Sequence, residues 1–89
     1  MTATEAQIRR AYETISAWEE RPWVGLAEIR EVLPKIDRAE MDKTLRAMVA
    51  SRSIHLIPVA NLKGLTRADH DAALRLGGED NHAMMIEAR

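Results

Sequence analysis

Apolar positions recur along the chain with two periods, and the switches between them mark the elements. Between Thr4 and Trp18, Ile8, Ala11, Tyr12 and Ile15 fall at i, i+3, i+4 and i+7, which predicts a helix with one buried face. Arg9, Arg10, Glu13 and Glu19 lie off that stripe. Pro22 ends the helix, because the residue before a proline is pushed out of helical torsions. A short extended piece, Trp23-Val24, follows, then Gly25. Leu26, Ile29, Val32 and Leu33 predict a second, short helix that Pro34 closes. The third helix, about 37–51, opens on Asp37 as N-cap with Glu40 three residues later as a capping-box variant. Ile36 and Met41 are spaced as a hydrophobic staple, and Met41, Leu45, Met48 and Val49 form the buried stripe.

The period then changes. Ser53-Ile54-His55-Leu56-Ile57-Pro58 is short, rich in branched residues and stopped by proline, so it predicts a strand. Val59 to Leu65 reads as irregular. Thr66 as N-cap and Asp69 at N3 open a fourth helix through Ala72, Ala73 and Leu76, which stops at Gly77-Gly78. After a polar turn, Glu79-Asp80-Asn81, the run His82 to Ile86 predicts a last strand. The fold class that follows is mainly α with a small β-sheet (α+β). One domain spans residues 1–89, in the order helix, short strand, helix, helix, strand, helical insertion, strand.

Eighty-nine residues is one domain's worth of chain, since domains run ~50–250 residues. The absence of Cys removes disulfides, thiolate zinc sites and cysteine nucleophiles. No apolar run approaches the ~20 residues of a membrane span, and the first residues lack a signal peptide's apolar stretch. A cytoplasmic setting is the expectation. Net charge is −1, but it is unevenly placed. Pro34 to Arg67 holds seven Lys/Arg against Asp37, Glu40 and Asp42, a net +4, and the rest holds six against eleven acids, a net −5. The basic middle is where a nucleic-acid face would have to lie.

Candidate reactive groups do not assemble into a site. His55, His70 and His82 are scattered, although His82 can lie beside His55 across the two predicted strands. Asp69-His70-Asp71 are consecutive and point in different directions on a helix. Gly77-Gly78 follows a helix and has no Gly-Lys-Ser/Thr beside it, so it is no phosphate cradle. The acidic steps Glu19-Glu20 and Glu79-Asp80 have nothing nearby to raise a pKa, and no Ser sits in a nucleophile elbow. The reading is therefore of a non-enzyme with no catalytic residue, metal or cofactor. Met41, Met48, Met84 and Met85 fall at core spacings. Trp18 and Trp23 are expected to seal the core at the first loop; an exposed one would mark a partner surface.

The stretch WVGLAEIREVLPKIDRAEMDKTLRAMVASRSIHLIP resembles the winged helix-turn-helix superfamily in element order and hydrophobic pattern, over about half the chain. The chain departs from a simple wing in that Val59 to Asn81 separates the two wing strands, the wing region being about 53–87. The resemblance implies double-stranded DNA as partner, with the third helix in the major groove. Its outward face would be Arg38, Ala39, Asp42, Lys43, Arg46 and Ala50, the Asp being repelled by phosphate unless Arg38 or Arg46 pairs with it. Arg38, Lys43 and Arg46 would then touch bases or phosphates, and Arg52, Lys63 and Arg67 would neutralise flanking phosphates. The function implied is a transcriptional or mobile-element regulator, monomeric or weakly dimeric. The alternative is a winged-helix protein–protein interaction module, or an accessory domain of a larger assembly, that does not bind DNA.

Overall fold

The computed structural model describes residues 2–58 and 66–86. In chain order the elements are α1 (Ala3–Glu19), β1 (Val24–Gly25), α2 (Leu26–Val32), α3 (Arg38–Ala50), β2 (His55–Ile57), α4 (Arg67–Ala72), β3 (Leu74–Leu76), β4 (Glu79–Asn81) and β5 (Ala83–Met85). The architecture is a small α+β fold: four helices, a three-stranded antiparallel sheet in the order β1-β5-β2, and a separate hairpin β3-β4. β5 lies between strands far earlier in the chain, with Val24 opposite Met84 on one side and Leu56 opposite Met84 on the other. His82 extends this line: its N–H donates to Ile57 O and its carbonyl accepts from Leu26 N, both at 2.9 Å.

The core joins both layers. Ile8 and Tyr12 of α1, Leu26 and Ile29 of α2, and Met41, Leu45 and Met48 of α3 are buried together with Val24, Ile54, Leu74 and Met84. The predicted stripes of α1 and α3 are thus the buried ones, with Thr44 added to α3 because its hydroxyl donates to Glu40 O at 2.9 Å within the helix. Val32, read as part of the stripe of α2, is instead half exposed at 52%. The α2 helix makes only about two turns, and Leu26 and Ile29 are the residues it buries.

Local signals succeed and fail for identifiable reasons. Thr66 and Asp69 make the full capping box of α4: Asp69 N donates to Thr66 Oγ1 at 3.1 Å and Thr66 N to Asp69 Oδ2 at 3.0 Å. The box expected at Asp37 and Glu40 does not form. Asp37 sits at the N-cap without a side-chain cap bond, and the Glu40 carboxylate accepts from Thr44 Oγ1 at 3.2 Å.

The fourth helix is shorter than the pattern predicts. It ends at Ala72, and Leu74–Leu76 is a strand. The cause is tertiary. Three successive carbonyls at its end are taken by arginines: Arg38 donates to Asp71 O and Ala73 O, and Arg30 Nε to Ala72 O at 3.0 Å. Oxygens held this way no longer direct the chain into another turn. Gly77 and Gly78, read as a helix stop, form the two-residue turn of β3-β4 with φ of +59° and +80°. Two successive positive φ values are the mark of the hairpin turn that suits strand twist. Glu79–Asn81, read as a turn, is accordingly the returning strand, and Asn81 is buried with its Nδ2 donating to Leu74 O and Glu79 O. His82 is not beside His55, whose partner is Met85; its ring meets that of His70 edge-on, with centroids 5.8 Å apart.

Candidate nucleic-acid interface

The exposed face of α3 follows from what its other faces bury. Met41, Thr44, Leu45 and Met48 point inward, which leaves Arg38, Ala39, Glu40, Lys43, Arg46, Ala47 and Ala50 in water. Lys43, Arg46, Ala47 and Ala50 stand at i, i+3, i+4 and i+7, one continuous stripe. Two cations among small alanines allow a close approach to a flat or grooved anionic surface.

Asp42, the residue that stood against a DNA face, is turned away from that stripe. Its Oδ1 accepts from Arg30 Nη2 of α2 at 2.6 Å, and its Oδ2 lies 3.6 Å from Arg38 Nε. The Arg30 and Asp42 side chains are mostly buried, at 15% and 25% exposure. This pair ties α2 to α3, and through the carbonyls of α4 it ties both to the hairpin side of the molecule. The negative charge is neutralised inside the scaffold.

The same network withdraws Arg38 from the set expected on the interface. Its guanidinium serves Asp71 O, Ala73 O and Asp42 at once. Arg67 lies on α4, fully open to water and only 3.9 Å from Asp71 as a loose i,i+4 pair. α4 is held at the first turn of α3, whereas Arg52 follows its last turn, about 20 Å away along thirteen residues of helix. Lys63 lies outside the described residues. Of the six predicted cations, the structure therefore gathers Lys43 and Arg46, with Arg52 next in line at the helix exit.

Arg52 is held there by the backbone. Its N–H donates to Val49 O at 3.0 Å and the N–H of Ser53 to Met48 O at 2.8 Å, the double bond pattern that closes a helix through a left-handed residue. Arg52 takes that conformation at φ +62°, a place glycine fills at lower cost. It borders a shallow groove shared with His55 and Leu56 of β2 and Glu79 of the hairpin. The hairpin itself adds no positive charge: Arg75 pairs with Asp80 at 3.3 Å, and Glu79 is left over.

The opposite end of the molecule carries what the sequence reading missed. Trp18 was expected to seal the core and is instead 85% exposed, while Trp23 is half-buried. Trp18 lies on the last turn of α1, on a surface shared with Glu28, Glu31 and Val32 of α2. The chain then turns back on a fixed path: Tyr12 Oη donates to Pro22 O, Arg21 pairs with Glu28, and Glu28 Oε2 accepts from Gly25 N at 2.8 Å. The Arg21 guanidinium is held above its ordinary pKa, first by the hydrogen bond to Glu28, partly offset by burial. Its raised value means the stabilisation is present at all lower pH and fades only above the arginine range, so Arg21 adds no pH dependence near neutrality. Comparison with known proteins is uninformative, since no family model, curated protein or solved structure matches this chain.

Proposed function

We propose that this chain is a small, non-enzymatic winged-helix protein that binds double-stranded DNA through α3, in a regulatory role. The observation that carries the reading is the stripe of Lys43 and Arg46 among alanines, with Asp42 locked to Arg30 and Arg38 behind it and Glu40, at the edge of the stripe, accepting from Thr44. The element order α1-β1-α2-α3-β2, with β5 paired between β1 and β2, supports the winged-helix assignment. In this reading α3 enters the major groove, Lys43 and Arg46 meet base edges or phosphates, and Arg52 meets the backbone at the groove edge. The hairpin β3-β4, with one cation against two acids, stands off the phosphates.

The test is fluorescence anisotropy of a labelled mixed-sequence duplex across a salt series. Three engaged cations predict a slope near −2.7 in log K against log salt, or a loss on the order of fortyfold between 50 and 200 mM. Lys43→Ala should lower that slope by about one. A duplex that stays unbound at the lowest salt would remove the DNA reading and leave the protein-interaction module standing.

A further inference from the structure

α1 borders an apolar groove that no described element covers. Ala11 and Ile15 of α1 form one wall, and Val32, Leu33, Pro34 and Ile36 form the other. Thr14, Ile15 and Val32 continue it to Trp18. Trp18 and Val32 are the two large apolar side chains left exposed among the described residues, and they lie on this one surface. An exposed Trp beside an exposed Val at the edge of an apolar groove is the kind of patch that marks an interface.

Charge identifies the occupant. At one end the rim is cationic, with Arg10 and Lys35; at the other, beside Trp18, it is acidic, with Glu19 and Glu31. A second copy laid parallel would oppose like charges along the whole rim. Laid antiparallel about a two-fold axis at Thr14, it brings the acidic end of each copy onto the cationic end of the other. Residues 10 and 18 are equidistant from Thr14, about 6 Å of helix on either side. Each Trp18 then reaches the Arg10 end of the partner's groove, where the guanidinium can stack on the indole face. One surface patch thus satisfies itself, as an isologous interface requires.

We propose that this groove is a self-association surface, on which two copies pair α1 against α1 antiparallel with each Trp18 seated in the other's groove. The two indoles supply about 300–500 Å² of buried apolar area, at most half of what a stable interface needs, so the groove walls must supply the rest and the pairing is weak and reversible. The surface shares no residue with the α3 stripe, so the proposal stands independently of DNA binding.

Sedimentation equilibrium of the full chain from about 1 μM to about 1 mM tests it, a range that spans weak dimers. The wild type should pass from monomer to dimer and stop there. Trp18→Ala should weaken the dimer by at least about thirtyfold, as loss of an interface anchor does, with helical circular dichroism unchanged. Arg10→Glu and Glu19→Arg should each weaken it, and the two together should recover it, because the swapped charges again oppose one another. A chain that stays monomeric throughout overturns the proposal and assigns the groove to a different protein. Open-ended growth with concentration, a dimer indifferent to Trp18→Ala, or no recovery in the double swap overturns it equally.

Discussion

Two faces of one small core differ in kind. The α3 face offers charge without apolar area: Lys43 and Arg46 stand among alanines, and Asp42 is locked to arginines. The groove beside α1 offers apolar area with charges of both signs at its rim, crowned by Trp18. The first suits a partner whose charge is uniform and whose binding collapses with salt. The second suits a partner with matched polarity, whose binding salt barely moves because most of its energy is apolar burial. A chain of 89 residues has room for both because one face is built on α3 and the other on α1 with the end of α2, and the two share no residue.

The largest expected break in this comparison is reversal of both α3 cations. Lys43→Glu with Arg46→Glu should cost DNA affinity on the order of a hundredfold or more, since each contact carries about 1–3 kcal/mol. Self-association and thermal stability should stay as they were, as both side chains are exposed. A parallel loss of dimer in the ultracentrifuge would mean that the two faces are one surface.

Asp42→Asn comes next and acts on the scaffold between the faces. It leaves the mostly buried Arg30 guanidinium without its carboxylate, while the half-exposed Arg38 keeps its two carbonyl acceptors, for a loss of about 2 kcal/mol. A thermal melt should fall by roughly 10 °C. DNA affinity measured well below the melt should hold, because Asp42 faces away from the stripe. Lost DNA binding at an unchanged melting temperature would place the carboxylate on the nucleic acid instead.

The smallest effect sharpens the reading of the helix exit. Arg52→Gly should raise stability by about 0.5–1 kcal/mol by relieving the left-handed backbone. It should also lower the salt slope of DNA binding by about one. A gain in stability with an unaltered slope would show that Arg52 contributes nothing to the DNA face.

The sequence makes the helical half of this fold legible because helix signals are local. Ile8, Ala11, Tyr12 and Ile15 announce α1, Met41, Leu45 and Met48 announce α3, and Thr66 with Asp69 announces the start of α4. What stays hidden depends on partners remote in the chain. Nothing near Ala72 says that Arg30 and Arg38, from 42 and 35 positions away, will take the carbonyls that end its helix. Gly77-Gly78 serves a helix stop and a hairpin turn equally well, and only the capture of those carbonyls decides between them. The candidate site was half readable. Lys43 and Arg46 stand where the stripe puts them, but the fate of Asp42 needed Arg30 of α2, and the exposure of Trp18 is set by what packs beside the end of α1, which no local pattern shows.

The place of β5 between β1 and β2 has a consequence for how the protein is made. Val24 and its partner Met84 are sixty positions apart, so the ribosome delivers every helix before the strand that completes the sheet. Until then β1 and β2 flank an open slot, each with an unpaired edge that invites pairing with another chain. Closing so long a loop is also slow, which sets the order of assembly: helices first, sheet last. During that interval the nascent chain most needs protection from its neighbours.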